Sequence, residues 1–412
     1  MQQDLSKQHH LDIITLQTQN ATYPSKEGNF IMHEVTSMTN ITPRMSTVGG
    51  ESLVTNTPTH PSAYPNQTHT IIIATLFILV GTIGMIGNCL VLIAVLLSKK
   101  LQTATNAFVV NLSISDFLTC FVLPFQASGL FSDSGWLLSD GMCNFVAVLT
   151  ITTPTVSVLT LGMIAVNRYT LITKTKKTYQ QIYRLPVIAA LVSTTWLFPI
   201  LTIVIPQLTN LGNLGFDYFY KICKWDVDLS KIPIFQTISS VTFLASTGVI
   251  IFCYMSIYLY VRKHITDMKA KRKSQVISLQ SISIEENNAA PQNRRQRSPT
   301  KSNINGTPSL RQVKITKNLC YVVIIFFVCV VPYSVLLLFR VRHLAVAYFA
   351  VVFTLSSNIN PILYSAKHPD FRSVFVAMLH CKYLDVVSPS GCLRTLIDRT
   401  GATPNNKSSS ES

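Results

Sequence analysis

One carboxylate stands out by its surroundings. Asp116, in NLSISDFLTCFVLP, is the single formal charge within seven long apolar stretches. A carboxylate at mid-membrane depth costs about 2.5–3.5 kcal/mol or more, so it must face a bundle interior or a hydrated cavity. Asn88, Ser157, Ser356, Ser357 and Asn360 fall at similar depths in other stretches. One anion ringed by hydroxyls and amides could hold a small monovalent cation; a protonated Asp116 bonded to these neighbours is the plainer alternative. A second group is Arg168, in AVNRYT, at the end of FVAVLTITTPTVSVLTLGMIAV. On its own, a cation there would snorkel to the headgroups. Its neighbour Asn167 can hydrogen-bond but cannot supply a countercharge. The stretches hold no nucleophile–base pair and no metal-ligand cluster, which argues against an enzyme.

The elements that carry these residues are membrane spans. Charged residues make up 13% of the 412 and apolar residues 48%, against about 25% charged in a typical soluble domain. Seven stretches reach the roughly 20 apolar residues needed to cross a bilayer. They lie near 70–97, 107–130, 143–167, 185–205, 232–261, 319–339 and 344–366. The expected fold is therefore an all-α membrane protein, a seven-transmembrane helix bundle. Prolines inside the spans, at 124, 154, 332 and 361, predict kinks.

Basic residues set the orientation. Lys99 and Lys100 follow the first span, and Arg168, Lys174, Lys176, Lys177 and Arg184 lie between the third and fourth. Thirteen Lys and Arg residues lie between 262 and 317. The first 69 residues hold three against five acids. The net charge of +16 is thus a cytoplasmic excess rather than a nucleic-acid signature, with the N-terminus outside and the C-terminus inside. Sequons at Asn20, Asn40 and Asn66 predict glycosylation of that outer segment. No cleavable signal peptide opens the chain, so the first span is expected to serve as the insertion signal.

Three regions read as disordered from their polar composition: an extracellular N-terminus at 1–69, a third cytoplasmic loop at 263–313, and a cytoplasmic tail at 382–412. The bundle with its appended helix occupies 70–381. Of nine cysteines, Cys143 and Cys223 alone face the oxidising side, which predicts a disulfide between them. Cys381 is a candidate for S-palmitoylation, with an unmodified thiol as the alternative.

The ordered set of motifs resembles the rhodopsin-like (class A) G-protein-coupled receptors over roughly residues 70–381. The motifs are Gly87–Asn88, NLSISD ending at Asp116, and Cys143 placed 25 residues before Arg168. Trp196, Tyr254, FFVCVVPY around Pro332, and NPILY at 360–364 complete the spans. HPDFRSVF, with Phe371, resembles the family's short amphipathic eighth helix. The resemblance implies a plasma-membrane receptor that couples an extracellular ligand to a heterotrimeric G protein through outward movement of the sixth span. Arrestin, receptor kinases and membrane lipid would be further partners. Asn167, Arg168, Tyr169, Tyr254 and Tyr364 would form the switch, and Asp116, Ser157 and Asn360, with Asn88, Ser356 and Ser357 near them, an allosteric Na+ site. Pro332, Pro361 and Phe326 would act as hinges, and Thr150, Thr153, Val330 and Tyr333 would line the ligand pocket.

Departures from the family pattern sharpen the expectation. The usual acid before the arginine is Asn167, and Gln312 or a near neighbour replaces the acid low in the sixth span. Val330 stands where a tryptophan is common, and Ser246 where the fifth span carries a proline. Arg168 thus lacks its usual carboxylate partners, which predicts raised basal signalling. Asn-Arg-Tyr and FCY resemble melatonin-type receptors and invertebrate relatives. Thr150 replaces the aspartate of amine receptors, which disfavours a biogenic amine and leaves a small lipophilic, melatonin-like or peptide ligand. An arrestin-biased or non-signalling receptor is the alternative. A light receptor lacks its lysine in 344–366, and a channel or transporter would need more intramembrane charge.

Overall fold

The computed structural model describes residues 61–132, 135–226, 232–286, 324–325, 327–380, 386, 388–391 and 393–395. Asn20, Asn40, Gln312, Phe326 and Cys381 lie outside them. Among these described residues, eight α-helices follow in order up to the last span: α1 (Gln67–Leu97), α2 (Ala104–Phe131), α3 (Asp140–Thr173), the short α4 (Lys176–Ile182), α5 (Leu185–Leu208), α6 (Ile232–Glu286), α7 (Phe327–Leu338) and α8 (Leu344–Lys367). A ninth, α9 (Pro369–Leu379), closes the bundle. All but α4, α7 and α9 are long and apolar enough to cross a membrane by length and composition. Together with α7, the described part of the sixth span, they make the seven-helix bundle expected from the sequence.

The starts of the helices follow from local chemistry. Asn66, Thr103, Ser139 and Thr175 each accept a backbone N–H of the first turn with their side chains, satisfying donors that a helix leaves unpaired. His343 does the same for α8. Asn66 uses Oδ1 for this, which leaves the sequon's amide nitrogen on an exposed residue. The spanning helices are apolar on all sides, and large side chains such as Leu79, Ile83 and Ile86 remain exposed, the pattern of helices that face lipid.

Inside the bundle, polar side chains fix the helices to one another. Asn111 on α2 donates to Thr160 of α3 at 2.7 Å and to Thr195 of α5 at 3.3 Å, and accepts from Trp196 Nε1 at 2.8 Å. Gly84 on α1 meets α2 and α8 where an added Cβ would strike Cys120 Sγ and the Asn358 side chain. A larger residue at this position must therefore displace one of these side chains. Asn358 in turn donates to the Val80 carbonyl at 3.1 Å.

The chain departs from the expected pattern in three places. Residues 213–226 form an antiparallel hairpin, β1 (Asn213–Asp217) and β2 (Ile222–Asp226), with Phe216 opposite Cys223. The Cys143–Cys223 disulfide is formed and ties β2 to the start of α3. Second, α6 continues to Glu286, so 263–286 of the segment expected to be disordered is helical. That stretch is polar but holds neither Gly nor Pro, and Lys, Met, Gln, Leu and Glu are good helix formers. Third, Val386 and Leu393 of the expected free tail are buried in the cluster formed by α9 and the ends of α1 and α2. Ser390 N–H donates to the Leu97 carbonyl at 2.9 Å, and Lys99 N–H to the Ser388 carbonyl at 2.9 Å.

α9 is amphipathic, as expected. Phe371, Val374, Phe375 and Met378 are buried together, at the i, i+3, i+4, i+7 spacing of one helix face. Lys100 pairs with Asp370 at 2.7 Å beside it.

Candidate functional site

Three sites lie along the bundle: a cavity at the hairpin end, a polar cluster at mid-depth, and the surroundings of Arg168 at the opposite end.

The cavity measures about 230 Å³ and is bordered by α1, α2, α3, α6, α7, α8 and the hairpin. Gln126 holds the hairpin over it, because its amide mimics a strand partner. It accepts the Cys223 N–H at 2.8 Å and donates to the Cys223 carbonyl at 2.8 Å. The segment before α1 completes the roof. Ala63 N–H donates to the Phe219 carbonyl at 2.8 Å, and the Tyr64 hydroxyl to the Tyr220 carbonyl at 3.0 Å. Arg342 stacks on the Phe219 ring at 4.3 Å. Burial raises the phenol of Tyr64 above its ordinary value, and burial likewise pushes that of Tyr220 up to about 12. Both therefore remain protonated hydrogen-bonding groups at neutral pH.

Of the residues expected to line a ligand pocket, Thr150 and Tyr333 do so. Thr153 and Val330 do not. Thr153 is buried against Thr119 at 2.8 Å, and Val330 is fully buried in the cluster of α3, α6 and α8 side chains. The cavity also includes residues that the sequence reading missed, among them Tyr64, Gln126, Tyr220 and Lys224. All but Gln126 sit in segments outside the spans, where hydropathy carries no signal.

At mid-depth the structure brings together the residues expected around Asp116. Ser157 donates to Asp116 Oδ1 at 2.7 Å and Asn360 to Oδ2 at 2.8 Å, joining α2, α3 and α8. Ser115 Oγ, not foreseen, lies 2.9 Å from Ser157 Oγ. Asn88 donates to the carbonyls of Gly84 and Ser357 at 3.0 Å. Ser356 instead turns back onto the Phe353 carbonyl of its own helix at 2.7 Å. Asp116 is 1% exposed, so Ser157 and Asn360 replace the water that a buried carboxylate would otherwise lose. Pro361 follows Asn360, and an added Cβ at Gly87 would sit 3.1 Å from its ring. Pro332 lies within α7.

At the opposite end Asn167 is buried and Arg168 half-buried. Asn167 donates to the Tyr179 hydroxyl of α4 at 3.1 Å. Among the described residues no carboxylate pairs with Arg168, and its Nε is buried without a hydrogen-bond partner. Tyr254 is buried in the cluster that Tyr169 borders. Tyr364 stacks on Phe371 of α9 at 5.3 Å. The five expected switch residues thus occupy one end of the bundle, with Tyr169 and Tyr254 at one cluster and Tyr364 against α9.

Comparison with known proteins agrees with this architecture. The family model described as 7 transmembrane receptor (rhodopsin family) matches residues 87–364. The G-protein coupled receptor moody of Drosophila melanogaster is 26% identical over 83% of this chain and 56% of its own length. Human melanopsin is 27% identical over 75% of this chain and 62% of its own. The zebrafish (Danio rerio) melatonin receptor type 1B-A is 32% identical over 47% of this chain and 68% of its own. The chain thus spans little more than half of moody. Squid rhodopsin shares the fold with a TM-score of 0.57 at 21% identity, over 82% of this chain and 92% of that one. A seven-helix bundle with this disulfide, and a matched region that covers most of the chain, lead to one conclusion: the chain belongs to the rhodopsin family of seven-transmembrane receptors.

Proposed function

We propose that the chain is a plasma-membrane receptor whose hairpin end lies outside the cell. It converts ligand binding in the roofed cavity into activation of a heterotrimeric G protein at the Arg168 end. The cavity is the observation that supports this most, because it is enclosed by the helices that a ligand would have to reposition. Three of its rings pack in series, Phe353 on α8 lying between Phe243 on α6 at 5.3 Å and Tyr333 on α7 at 5.1 Å. They stand in for the tryptophan that Val330 replaces. Pressure on them would swing α7 outward about Pro332 and open the far end around Arg168, Tyr254 and Tyr364. The excess of basic residues beside Arg168 supports the orientation.

Asp116 with Ser157 and Ser115 offers a carboxylate and two hydroxyl oxygens, hard donors that suit Na+. Asn360 would have to share the second carboxylate oxygen with it. Arrestin and receptor kinases would act on the same inner face, and palmitoylation of Cys381 would anchor the end of α9 to lipid.

A ligand panel with a promiscuous G-protein readout tests the reading, with Arg168→Ala and an arrestin-recruitment assay run beside it. A G-protein response that Arg168→Ala abolishes at equal surface expression is expected. A ligand that recruits arrestin without any G-protein response would replace this reading with the arrestin-only alternative.

A further inference from the structure

The polar groups around the cavity divide by whether their hydrogen bonds are already made. On α2 and α3 they are. Gln126 is occupied by both backbone groups of Cys223 and also donates to Thr150 at 2.8 Å. The Thr119 hydroxyl lies between the Ser115 carbonyl and Thr153, and Thr155 donates to the Ile151 carbonyl at 2.9 Å. On α8, Thr354 donates to the Val351 carbonyl at 2.8 Å. Lys224, the one charged side chain among the described lining residues, is paired with Asp217 and lies 4.6 Å over the Tyr220 ring.

On α6 and α7 the opposite holds. Gln236, Ser239 and Tyr333 line the cavity, and among the described residues none of their side chains has a hydrogen-bond partner. Gln236 and Ser239 stand three residues apart, on one face of α6. Polar groups in an apolar enclosure are costly when unpaired, so a partner from outside the chain has most to gain at this wall.

We propose that the cavity takes an uncharged, largely apolar small molecule with one hydrogen-bonding group, of amide or hydroxyl type, held by Gln236, Ser239 and Tyr333. A cationic ligand would find no carboxylate among the described lining residues. An anionic one would have to compete with Asp217 for Lys224. Either would be buried as an unpaired charge, the most expensive arrangement an apolar site can impose. At about 230 Å³ the space lies below the roughly 300–1,000 Å³ of drug-sized pockets, which fits a single ring with a short chain and excludes a peptide from the enclosed part. An amide satisfies the wall best, because Gln236 both donates and accepts. The assignment rests on the receptor reading only in taking this cavity as the ligand site.

The test uses the full chain in lipid nanodiscs and three probes of equal length: 4-phenylbutanamide, 4-phenylbutylamine and 4-phenylbutanoate. Binding is read from titrated thermal shifts, which report occupancy of the folded state. The amide should bind at least about tenfold more tightly than either charged analogue. Gln236→Leu and Tyr333→Phe should each weaken the amide about fivefold, without changing the melting temperature of the unliganded protein. If Gln236→Leu does not fold, Ser239→Ala and Tyr333→Phe decide the matter. The proposal is overturned by an amine or carboxylate that binds as well as the amide, by an amide that gives no shift, or by variants that retain wild-type amide affinity. No G protein is present in the assay. Amide binding by a chain that never activates a G protein would therefore sink the transduction reading and leave this one standing.

Discussion

Asn167 donates its side-chain amide to the Tyr179 hydroxyl at 3.1 Å, and that hydroxyl lies 3.0 Å from Thr105 Oγ1. The residue beside Arg168 is therefore tied sideways, to α4 and the first turn of α2. Among the described residues, its own Oδ1 and the Arg168 Nε are both buried without a partner. A carboxylate at position 167 could keep the Tyr179 contact, with the phenol now donating, and hold the guanidinium as well. Basal second-messenger output in cells without ligand should fall in Asn167→Asp. Equal output from the two proteins would count against weak restraint of Arg168.

Tyr179→Phe removes the hydroxyl that joins α3, α4 and α2 while keeping the ring. It strands the buried Asn167 amide, at a cost of about 1–3 kcal/mol. Hydrogen exchange across Lys176–Ile182 should accelerate, and the melting temperature should drop. Protection equal to wild type in α4 would show that the contact does not hold this helix.

The Asp116 cluster should respond differently to two substitutions. Asp116→Asn keeps the shape and loses the charge, whereas Asp116→Ala also leaves Ser157 and Asn360 without their acceptor. The alanine variant should therefore be the less stable by about 1–3 kcal/mol. If the cluster holds Na+, replacing choline chloride with sodium chloride will raise the melting temperature of the wild type and not that of Asp116→Asn. A sodium shift that survives Asp116→Asn would place the ion elsewhere.

At Gly84 the contact is with two neighbouring helices, α2 and α8. An added methyl would overlap Cys120 Sγ and the Asn358 side chain, so Gly84→Ala should destabilise by about 1–3 kcal/mol through overpacking. The matching change at Gly162, where an added Cβ meets nothing within 4 Å, is the control. It should be neutral or slightly stabilising, since alanine favours helix. Equal melting temperatures for the two variants would contradict the packing described for α1, α2 and α8.

Gln126→Leu tests the roof. The disulfide would still anchor Cys223, yet its buried N–H and carbonyl would lose the side chain that pairs with them. Exchange should rise across Asn213–Asp226 with the disulfide intact under non-reducing conditions. Unchanged protection would mean that the disulfide alone holds the hairpin.

The spans, the disulfide and the amphipathic α9 were legible in the sequence, and so was the meeting of Asp116, Ser157 and Asn360. Each rests on a rule that acts locally or on a strong exclusion. Apolar run length must match the bilayer, and an intramembrane carboxylate must find polar company. The pairing of Gln126 with Cys223, 97 residues apart, and of Tyr64 with Tyr220, 156 apart, left no such trace. Nothing in the neighbourhood of either residue names its partner. Helical continuation of α6 to Glu286 was hidden for another reason: low hydrophobicity reads as disorder, while helix propensity reads the same residues as permissive.

The amino-acid order settled that this chain crosses a membrane as seven helices and which residues the bilayer would drive inward. It did so because transfer of charge and backbone into lipid is costly enough to override local preference. Among the described residues, the fold settled which polar groups are satisfied: Gln126 occupied and Gln236 open, Asn167 held by Tyr179 and Arg168 unpaired by any carboxylate. Those outcomes depend on contacts between segments distant in sequence, where differences of one hydrogen bond decide the arrangement.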